Sequence, residues 1–396
     1  MNISQWTARD AAYHALLAFY RKGTFLNDTL NDWRAAAKPA SRDERLAYEL
    51  AAGCCRMSLR LDCHITQLPT EKPPQLKRKE RTILHLALYQ HLFMERIPSH
   101  ALVNEAVALA KRHCHTTFVK FLNAILRKLP DTTFSPPSST HQRLSYPEEF
   151  VNMLTADYGA SQAVACLEAM NCPPIIQARR RADNAVITVE DLDSIAQSRD
   201  YYIQNSTPIA LISGLAEKTK TPSTLLDLCA SPGGKLLLAH DLYPQAQLFA
   251  NDVSKQKLRR LQENLQKYDV DATLFCSQGE ALETEQKYDL IILDVPCSNS
   301  GVLNKRPEAR WRQQNSHVEE ICLLQRQLLE NAATLLNPEG TIWYLTCSIL
   351  KKENEEQMLW AEKNLGAKTI LQKTILPDTE GADGGYSCLL GSTALF

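Results

Sequence analysis

The sequence predicts a multidomain chain in which an all-helical bundle precedes an α/β domain with a doubly wound, mostly parallel sheet. Two observations support this fold class. Residues 5–131 carry apolar side chains at helical spacing almost throughout. From residue 224 onward, short apolar runs alternate with helical segments, which is typical of parallel strands connected by helices. A length of 396 residues fits two or three domains.

The composition is ordinary, but the charge is unevenly distributed. Hydrophobic residues make up 44% and charged residues 22% of the chain, and no apolar run is long enough to span a bilayer. The first residues lack the apolar run of a signal peptide, so we expect a cytoplasmic protein with no membrane partner. Residues 1–135 hold 20 Lys and Arg against 12 Asp and Glu, whereas the remainder holds 24 against 33. This basic front half predicts a polyanion partner, although a solvated helix surface would have the same composition.

The 12 cysteines include no CxxC pair, and the sequence around His113 and His115 lacks a second spaced pair of ligands. We therefore expect no metal site and mostly buried thiols in a reducing compartment. Two cysteines need another explanation, because Cys297 and Cys347 each stand just past a predicted buried strand.

Apolar periodicity and composition divide residues 1–200 into helices, a linker and a small second unit. Helices are predicted over residues 8–20, 41–56, 78–93, 101–112 and 118–129, and a linker rich in Ser, Thr and Pro covers 131–140. A small second unit contains helices near 148–157 and 161–170. It also contains the basic cluster Arg179, Arg180 and Arg181, which is either a solvated strand end or a phosphate contact. The predicted domains are 1–135, 141–200 and 201–396.

The C-terminal pattern places strands at residues 224–229, 246–251, 272–276, 288–295 and 340–347. Helices are predicted between them at 235–242, 255–268 and 318–336, and Gly340 is expected in a turn after Asn337 and Pro338. Ligands of such sheets bind at the carboxyl ends of the strands. The candidate functional residues all lie at those ends.

The central motif is LLDLCASPGGK at residues 225–235, a buried strand that ends in a glycine loop and opens a helix. We expect backbone N–H groups of this loop to approach a ligand. Asp252 ends the next strand, about 20 residues further on, where an acidic residue reaches ribose hydroxyls. Glu280 follows the third strand and Asp294 ends the fourth. The loop matches neither GxGxxG nor GxxxxGK[ST], which disfavours a nicotinamide enzyme and excludes a P-loop.

Four motifs together resemble the RNA cytosine-5 methyltransferases of the Nop/Sun family: LDLCASPGGK, DVPCSNSGVL, RPEARW and TCSILKKENE. The front half resembles the NusB-like RNA-binding domain in RDAAYHALLAF, SRDERLAYELAAGCCR, IPSHALVNEAVALAKR and VKFLNAILRKL. The resemblance implies a Rossmann-like class I methyltransferase domain that uses S-adenosyl-L-methionine. The NusB-like front narrows it to family members that methylate 16S ribosomal RNA of the small subunit, before the subunit is fully assembled.

The resemblance also implies roles for individual residues. Cys347 is the nucleophile that adds to C6 of the cytosine, which makes the poorly nucleophilic C5 able to accept a methyl group. Cys297 assists release of the product, and Asp294 holds the base near N3 and borders the donor. Proton donation by Asp294 would require a pKa raised by its apolar strand. Asp252 is expected at the donor's ribose and Glu280 near its adenine. The remaining donor-binding residues are Cys229, Ala230, Ser231, Pro232, Gly233, Gly234 and Lys235.

Arg306, Arg310 and Trp311 follow the second motif, where phosphate and stacking contacts to RNA would be useful. Glu280 stands where the family usually has Asp, and Asn205 also replaces an expected Asp. The alternatives are a transfer-RNA cytosine-5 methyltransferase of the same family and a non-catalytic RNA-binding or ribosome assembly factor. A methyltransferase of proteins or small molecules would not need the second cysteine.

Overall fold

The computed structural model describes residues 2–95 and 97–392, and it divides the chain into two compact units. The first unit comprises Met1–Val151 with Arg306–Trp311, and the second comprises Asn152–Lys305 with Arg312–Phe396. The predicted fold class is confirmed, since the first unit is helical and the second contains a mostly parallel sheet. No helix among the described residues is long and apolar enough to cross a membrane.

The first unit is a helical bundle around one apolar core that includes Tyr13, Leu16, Leu50 and Leu122. Helix α1 begins at a capping box in which Thr7 and Asp10 bond each other's backbone N–H groups. The helices are α1 Ala8–Lys22, α2 Leu26–Ala37, α3 Ser41–Arg56, α4 Ser58–Ile65, α5 Arg78–Phe93, α6 Ser99–His113, α7 Thr116–Lys128 and α8 Thr140–Leu144. The sequence patterns missed α2, α4 and α8. Helix α9, Glu148–Tyr158, runs from the first unit into the second.

The segment Arg306–Trp311 belongs to the first unit, although its neighbours in sequence belong to the second. Arg310 is fully buried, and its Nη1 donates to the carbonyl oxygens of Arg56 and Ser145 at 2.8 and 3.1 Å. The indole N–H of Trp311 donates to a main-chain carbonyl oxygen of α3 at 3.0 Å. The expected RNA contacts of Arg310 and Trp311 are therefore wrong, because packing within this unit uses both side chains.

The second unit begins with a small antiparallel sheet of order β2-β1-β3. Its strands are β1 Gln177–Arg180, β2 Val186–Thr188 and β3 Tyr201–Ile203, and helices α10 Ala160–Ala169 and α11 Leu192–Ala196 accompany it. Because β3 pairs with β1, a boundary at residue 200 would pass through this sheet. The division into three domains stays a prediction.

The arginine cluster of β1 makes its contacts within the chain. Arg179 and Arg181 both pair with Asp241, at 2.7 and 2.5 Å, and Arg180 pairs with Asp183 at 2.6 Å. These pairs argue against the phosphate contact, and because Arg179 is fully buried the cluster is not a solvated strand end either.

The main sheet has seven strands in the order β6-β5-β4-β7-β8-β10-β9. Strands β4 to β8 are parallel, while β10 lies antiparallel between β8 and β9. The strands are β4 Thr224–Asp227, β5 Gln247–Asn251, β6 Thr273–Phe275, β7 Tyr288–Asp294, β8 Leu336–Thr346, β9 Ala367–Ile375 and β10 Gly385–Ser392. The helices are α12 Ser206–Ala216, α13 Gly234–Leu242, α14 Lys255–Tyr268, α15 Asn315–Leu335 and α16 Glu355–Leu365.

Both faces of this sheet are buried, which explains the continuous apolar runs of its strands. Leu225 and Trp343 lie in the core cluster on one face, whereas Leu226 and Tyr344, their neighbours in sequence, lie in the cluster on the other. Two predictions fail here. The patterns missed β9 and β10, and β8 begins at Leu336, so that Pro338 lies within the strand rather than in a turn.

Candidate active site

The glycine loop connects β4 to α13 and is shaped by one position with positive φ. Gly233 has φ +105°, and a Cβ there would lie 2.7 Å from Cδ1 of Leu261, so only glycine fits. Ala230 is buried, while Pro232 is exposed and its carbonyl oxygen accepts from Asn264 at 2.7 Å. The chain thus turns sharply between the central strand and the first turn of α13.

Most of the loop's first N–H groups bond within the protein. The N–H of Cys229 donates to Asp227 Oδ1 at 3.3 Å, that of Ala230 to the carbonyl oxygen of Asn251 at 2.9 Å, and that of Ser231 to Asp252 Oδ2 at 3.1 Å. The expectation that this part of the loop offers its N–H groups to a ligand is therefore wrong. Gly233, Gly234 and Lys235, at the start of α13, remain candidates for that role.

Asp252 follows β5 and is almost completely buried. Its Oδ1 lies 3.3 Å from Lys257 Nζ, yet no hydrogen bond of good geometry reaches this buried oxygen. A buried acceptor without a donor suits a ligand hydroxyl. The residues present therefore fit the ribose of S-adenosylmethionine, with Asp252 as the group that would hold it. Glu280 lies half-buried in a short 3₁₀ helix after the neighbouring strand β6.

An ion pair connects the glycine loop to the end of β7. Lys235 Nζ donates to Asp294 Oδ2 at 2.6 Å. Burial alone would lower the pKa of Lys235, but Asp294 raises it, and Cys347 and Asp227 act in the same direction. Asp227, at the end of β4, is fully buried, and burial together with the nearby Asp294 raises its pKa to about 8. The carboxylates of Asp227, Asp252 and Asp294 thus share the carboxyl end of the sheet with the ammonium groups of Lys235 and Lys257.

The two predicted cysteines lie side by side. Cys297 follows β7 and Cys347 follows β8, and because these strands are parallel neighbours, their Sγ atoms lie 3.1 Å apart. The hydrogen bond with Cys347, together with burial, holds the pKa of Cys297 well above its usual range. Cys229, in the glycine loop, also has a raised pKa because it is buried near Asp227.

Two residues of this site carried no role in the sequence patterns. Asn299 has φ +60° and bonds both cysteines: its Oδ1 accepts from Cys347 Sγ at 3.3 Å, and its Nδ2 donates to the carbonyl oxygen of Cys297 at 2.9 Å. Glu353 is fully buried and bonds Ser298 and Ser348, the residues that follow the two cysteines. Its position within the TCSILKKENE motif was the available signal. Asn205, a departure from the family pattern, caps α12 by accepting from the N–H of Thr207.

Comparison with known families assigns both halves of the chain. The family model described as 16S rRNA methyltransferase RsmB/F matches residues 215–388, and the NusB family model matches residues 7–131.

Curated relatives align along nearly the whole chain. The ribosomal RNA small subunit methyltransferase B of Pasteurella multocida is 28% identical over 434 aligned positions, covering 96% of this chain and 95% of the relative. The protein of the same name from Shewanella oneidensis is also 28% identical, covering 96% and 97%.

Solved structures show the same fold. The crystal structure of PH0851 matches with a TM-score of 0.77 at 19% identity and covers 99% of both chains. A methyltransferase homolog protein from Pyrococcus horikoshii matches with a TM-score of 0.56 at 22% identity, covering 64% of this chain and 97% of its own. These findings confirm the resemblance predicted from the motifs. Residues 215–388 are similar to the RsmB/F family of 16S rRNA methyltransferases, and residues 7–131 are similar to the NusB family.

Proposed function

We propose that this enzyme transfers a methyl group from S-adenosylmethionine to C5 of a cytosine in 16S ribosomal RNA, through a covalent bond between Cys347 and C6. The observation that carries the proposal is the pair of thiols 3.1 Å apart at the ends of β7 and β8, beside the Lys235–Asp294 ion pair. The family description and the names of both curated relatives support the RNA substrate.

The chemistry explains why a nucleophile is needed. Attack by the Cys347 thiolate forms an S–C6 bond and makes C5 electron-rich, so that C5 can accept a methyl group. The donor, when bound, supplies that methyl on a positively charged sulfonium. The C5 proton must then leave to a base, after which the S–C6 bond breaks and restores the aromatic ring. The Cys347 thiolate is thus regenerated at the end of the reaction.

We assign ionisation to Cys347 and the assisting role in product release to Cys297, because Cys347 is the thiol that interacts with the ammonium of Lys235. The ammonium of Lys235, which lies near Cys347 and has a raised pKa, would stabilise the thiolate. This agrees with the assignment implied by the resemblance.

Asp294 and Lys235 act as a pair in this proposal. When Asp294 lies at the cytosine edge, charge that develops at N3 is met by a carboxylate bonded to an ammonium at 2.6 Å. In this step Asp294 would protonate N3 while Lys235 passes its proton to Asp294, which leaves a neutral amine beside the carboxylate. Asp252 would bind the donor's ribose, and the loop from Cys229 to Lys235 would line its methionine end, with Glu280 near the adenine.

The first unit completes the proposal as an RNA-binding domain. Its excess of Lys and Arg would bind phosphate groups of the ribosomal RNA before the small subunit is fully assembled. A cytoplasmic location and the three-domain division belong to the same proposal.

The test is bisulfite sequencing of RNA from cells that lack the gene and cells complemented with variants. One cytosine of 16S RNA should lose its methyl group in the deletion, and the wild-type protein and Cys172→Ala, which removes an exposed thiol elsewhere, should restore it. Cys347→Ala should fail to restore it. An unchanged 16S pattern would refute the proposal, and a change confined to transfer RNA would favour the alternative substrate.

A second test, with purified protein, asks which cysteine is the nucleophile and which assists product release. Cys297→Ala should accumulate a covalent RNA adduct that survives denaturing electrophoresis, because product release is blocked after the S–C6 bond has formed. Cys347→Ala should form no adduct. Adducts with Cys347→Ala but not with Cys297→Ala would reverse the two assignments.

A further inference from the structure

Glu353 is a buried carboxylate that the proposed chemistry does not use. It ends a short 3₁₀ helix, Lys351–Glu353, between β8 and α16, and it is fully buried. Its own carbonyl oxygen accepts from the hydroxyl of Tyr344 in β8 at 2.7 Å, which ties its main chain to the sheet. Burying a carboxylate is unfavourable unless hydrogen bonds replace its hydration, so the partners of this group indicate its role.

Those partners come from both cysteine loops. Oε1 accepts from the N–H of Ser298 at 2.7 Å, and Oε2 accepts from the hydroxyls of Ser298 and Ser348, each at 2.5 Å. Gln325 on α15 adds a longer bond to Oε1 at 3.3 Å. Burial raises the pKa of Glu353, while the bonds from Ser298 and Ser348 act in the opposite direction. One side chain thus bonds the residue that follows Cys297 and the residue that follows Cys347.

We propose that Glu353 is a positioning residue that holds the two cysteine loops together, so that Cys297 and Cys347 meet at the base. This rests on the proposed function, because it assigns the two thiols successive roles at one cytosine. The parallel strands β7 and β8 bring the loops to the same end of the sheet. Beyond the strands, Glu353 bonds both Ser298 and Ser348, and it acts alongside direct bonds between the loops such as that from the N–H of Gly301 to the carbonyl oxygen of Cys347 at 3.0 Å.

A carboxylate suits this role because it accepts several hydrogen bonds and donates none. The Ser348 hydroxyl also lies 2.8 Å from Ser300 Oγ, so the bond to Glu353 orients a wider set of hydroxyls below the thiols. Cys297 and Ser298 are adjacent in sequence, as are Cys347 and Ser348. A displacement of either serine therefore moves the neighbouring thiol.

The experiment compares Glu353→Gln and Ser348→Ala with a matched control. Glu353→Gln replaces an acceptor oxygen by a donor. Ser348→Ala removes the hydrogen bond between Ser348 and Glu353 with little change in side-chain volume. The control is Asp289→Asn, because Asp289 likewise accepts from the N–H groups of Ser223 and Thr224, but at the beginning of β7. Thermal unfolding checks that each variant is folded.

Two readouts separate positioning from a general loss of stability. The first is the single-turnover rate of methyl transfer with the KM for RNA, where we expect the rate to fall about 10- to 100-fold with KM changed by less than about 3-fold. The second is the rate at which diamide oxidises Cys297 and Cys347 to a disulfide, the two electrons and two protons passing to diamide. This needs no RNA or methyl donor, and we expect it to slow by about 10-fold.

Wild-type rates in both assays for Glu353→Gln and Ser348→Ala would overturn the proposal. An equal loss in Asp289→Asn would also overturn it, because the effect would then be general. If the variants slow disulfide formation while even the wild-type protein methylates no RNA, the positioning role stands and the proposed function fails.

Discussion

Asp227 ends β4 and Asp289 lies at the beginning of the neighbouring strand β7, so the two carboxyl groups mark opposite ends of one sheet. Burial works against ionisation of both. At Asp289, Asn337 and the N–H groups of Ser223 and Thr224 prevail and lower the pKa. At Asp227, the nearby Asp294 adds to burial and raises the pKa to about 8.

The difference shows which end of the sheet is arranged for chemistry. At the amino end, hydrogen bonds from Ser223, Thr224 and Asn337 satisfy Asp289, which favours stability. At the carboxyl end, Asp227 and Asp294 both interact with Lys235, and Oδ1 of the buried Asp252 has no hydrogen bond. Buried groups with a shifted pKa, here Asp227 and Lys235, are typical of functional sites.

The largest expected effect on the methyl-transfer rate comes from removing the Asp294 carboxylate at the carboxyl end, and Asp289 at the amino end provides the comparison. Asp294→Asn should lower the methyl-transfer rate by about 10²- to 10⁴-fold, because it breaks the ion pair with Lys235 at the reacting base. Asp289→Asn should leave the rate within about 3-fold and instead lower the free energy of unfolding by about 1–3 kcal/mol. Single-turnover kinetics and urea unfolding measure the two effects. Equal rate losses would remove the distinction between the ends.

A second, smaller effect is expected at Lys235. Lys235→Met keeps most of the side-chain volume but leaves Asp294 and Asp227 without their ammonium. We expect the methyl-transfer rate to fall by about 10²-fold. Lys257→Met, which removes the more exposed cation beside Asp252, is the control and should mainly weaken donor binding. Calorimetry of donor binding together with the transfer rate separates the two, and a normal rate in Lys235→Met would contradict the ion-pair role.

The pH dependence of stability should differ in sign between the ends. Since Asp227 binds its proton more tightly when folded, its contribution is fully present below the unfolded pKa of 3.8 and is lost as pH rises through about 8. Asp227→Asn should therefore remove a decline of up to about 1.4 kcal/mol per pH unit between pH 5 and 8. Asp289, with its lowered pKa, contributes stability that is lost as pH falls. Urea unfolding at a series of pH values measures both slopes, and identical slopes in wild type and Asp227→Asn would contradict the shift.

The smallest effect is expected for a charge pair at the amino end. Lys220 and Glu339 lie 2.9 Å apart with both side chains mostly in solvent. Solvent screens such a pair and its side chains lose entropy on pairing. Lys220→Ala should change neither the midpoint of thermal unfolding nor the methyl-transfer rate. A clear drop in the midpoint would show that the amino end depends on its surface charges as well.

The sequence predicted those strands of the sheet best that a single contiguous apolar run reveals. Strands β4, β5 and β7 are apolar runs that end in an acidic residue or a motif, and both faces of the sheet bury them. Strands β9 and β10 were missed because they form an antiparallel pair at the edge, where β9 mixes Lys368 and Lys373 with apolar residues. The role of Arg310 was misjudged because its partners are distant in sequence, and the same distance between Arg179 and Asp241 left the arginine cluster open.

The sequence by itself determined the resemblance to the family, the fold class and the residues at the strand ends, since these follow from contiguous motifs and local periodicity. Only the tertiary structure decided how those residues interact. It brought the thiols of Cys297 and Cys347 together, paired Lys235 with Asp294 and placed Glu353 below both cysteine loops. Hydrogen bonds and ion pairs between residues about 50 positions apart have no periodic trace in a sequence, because they depend on which strands become neighbours.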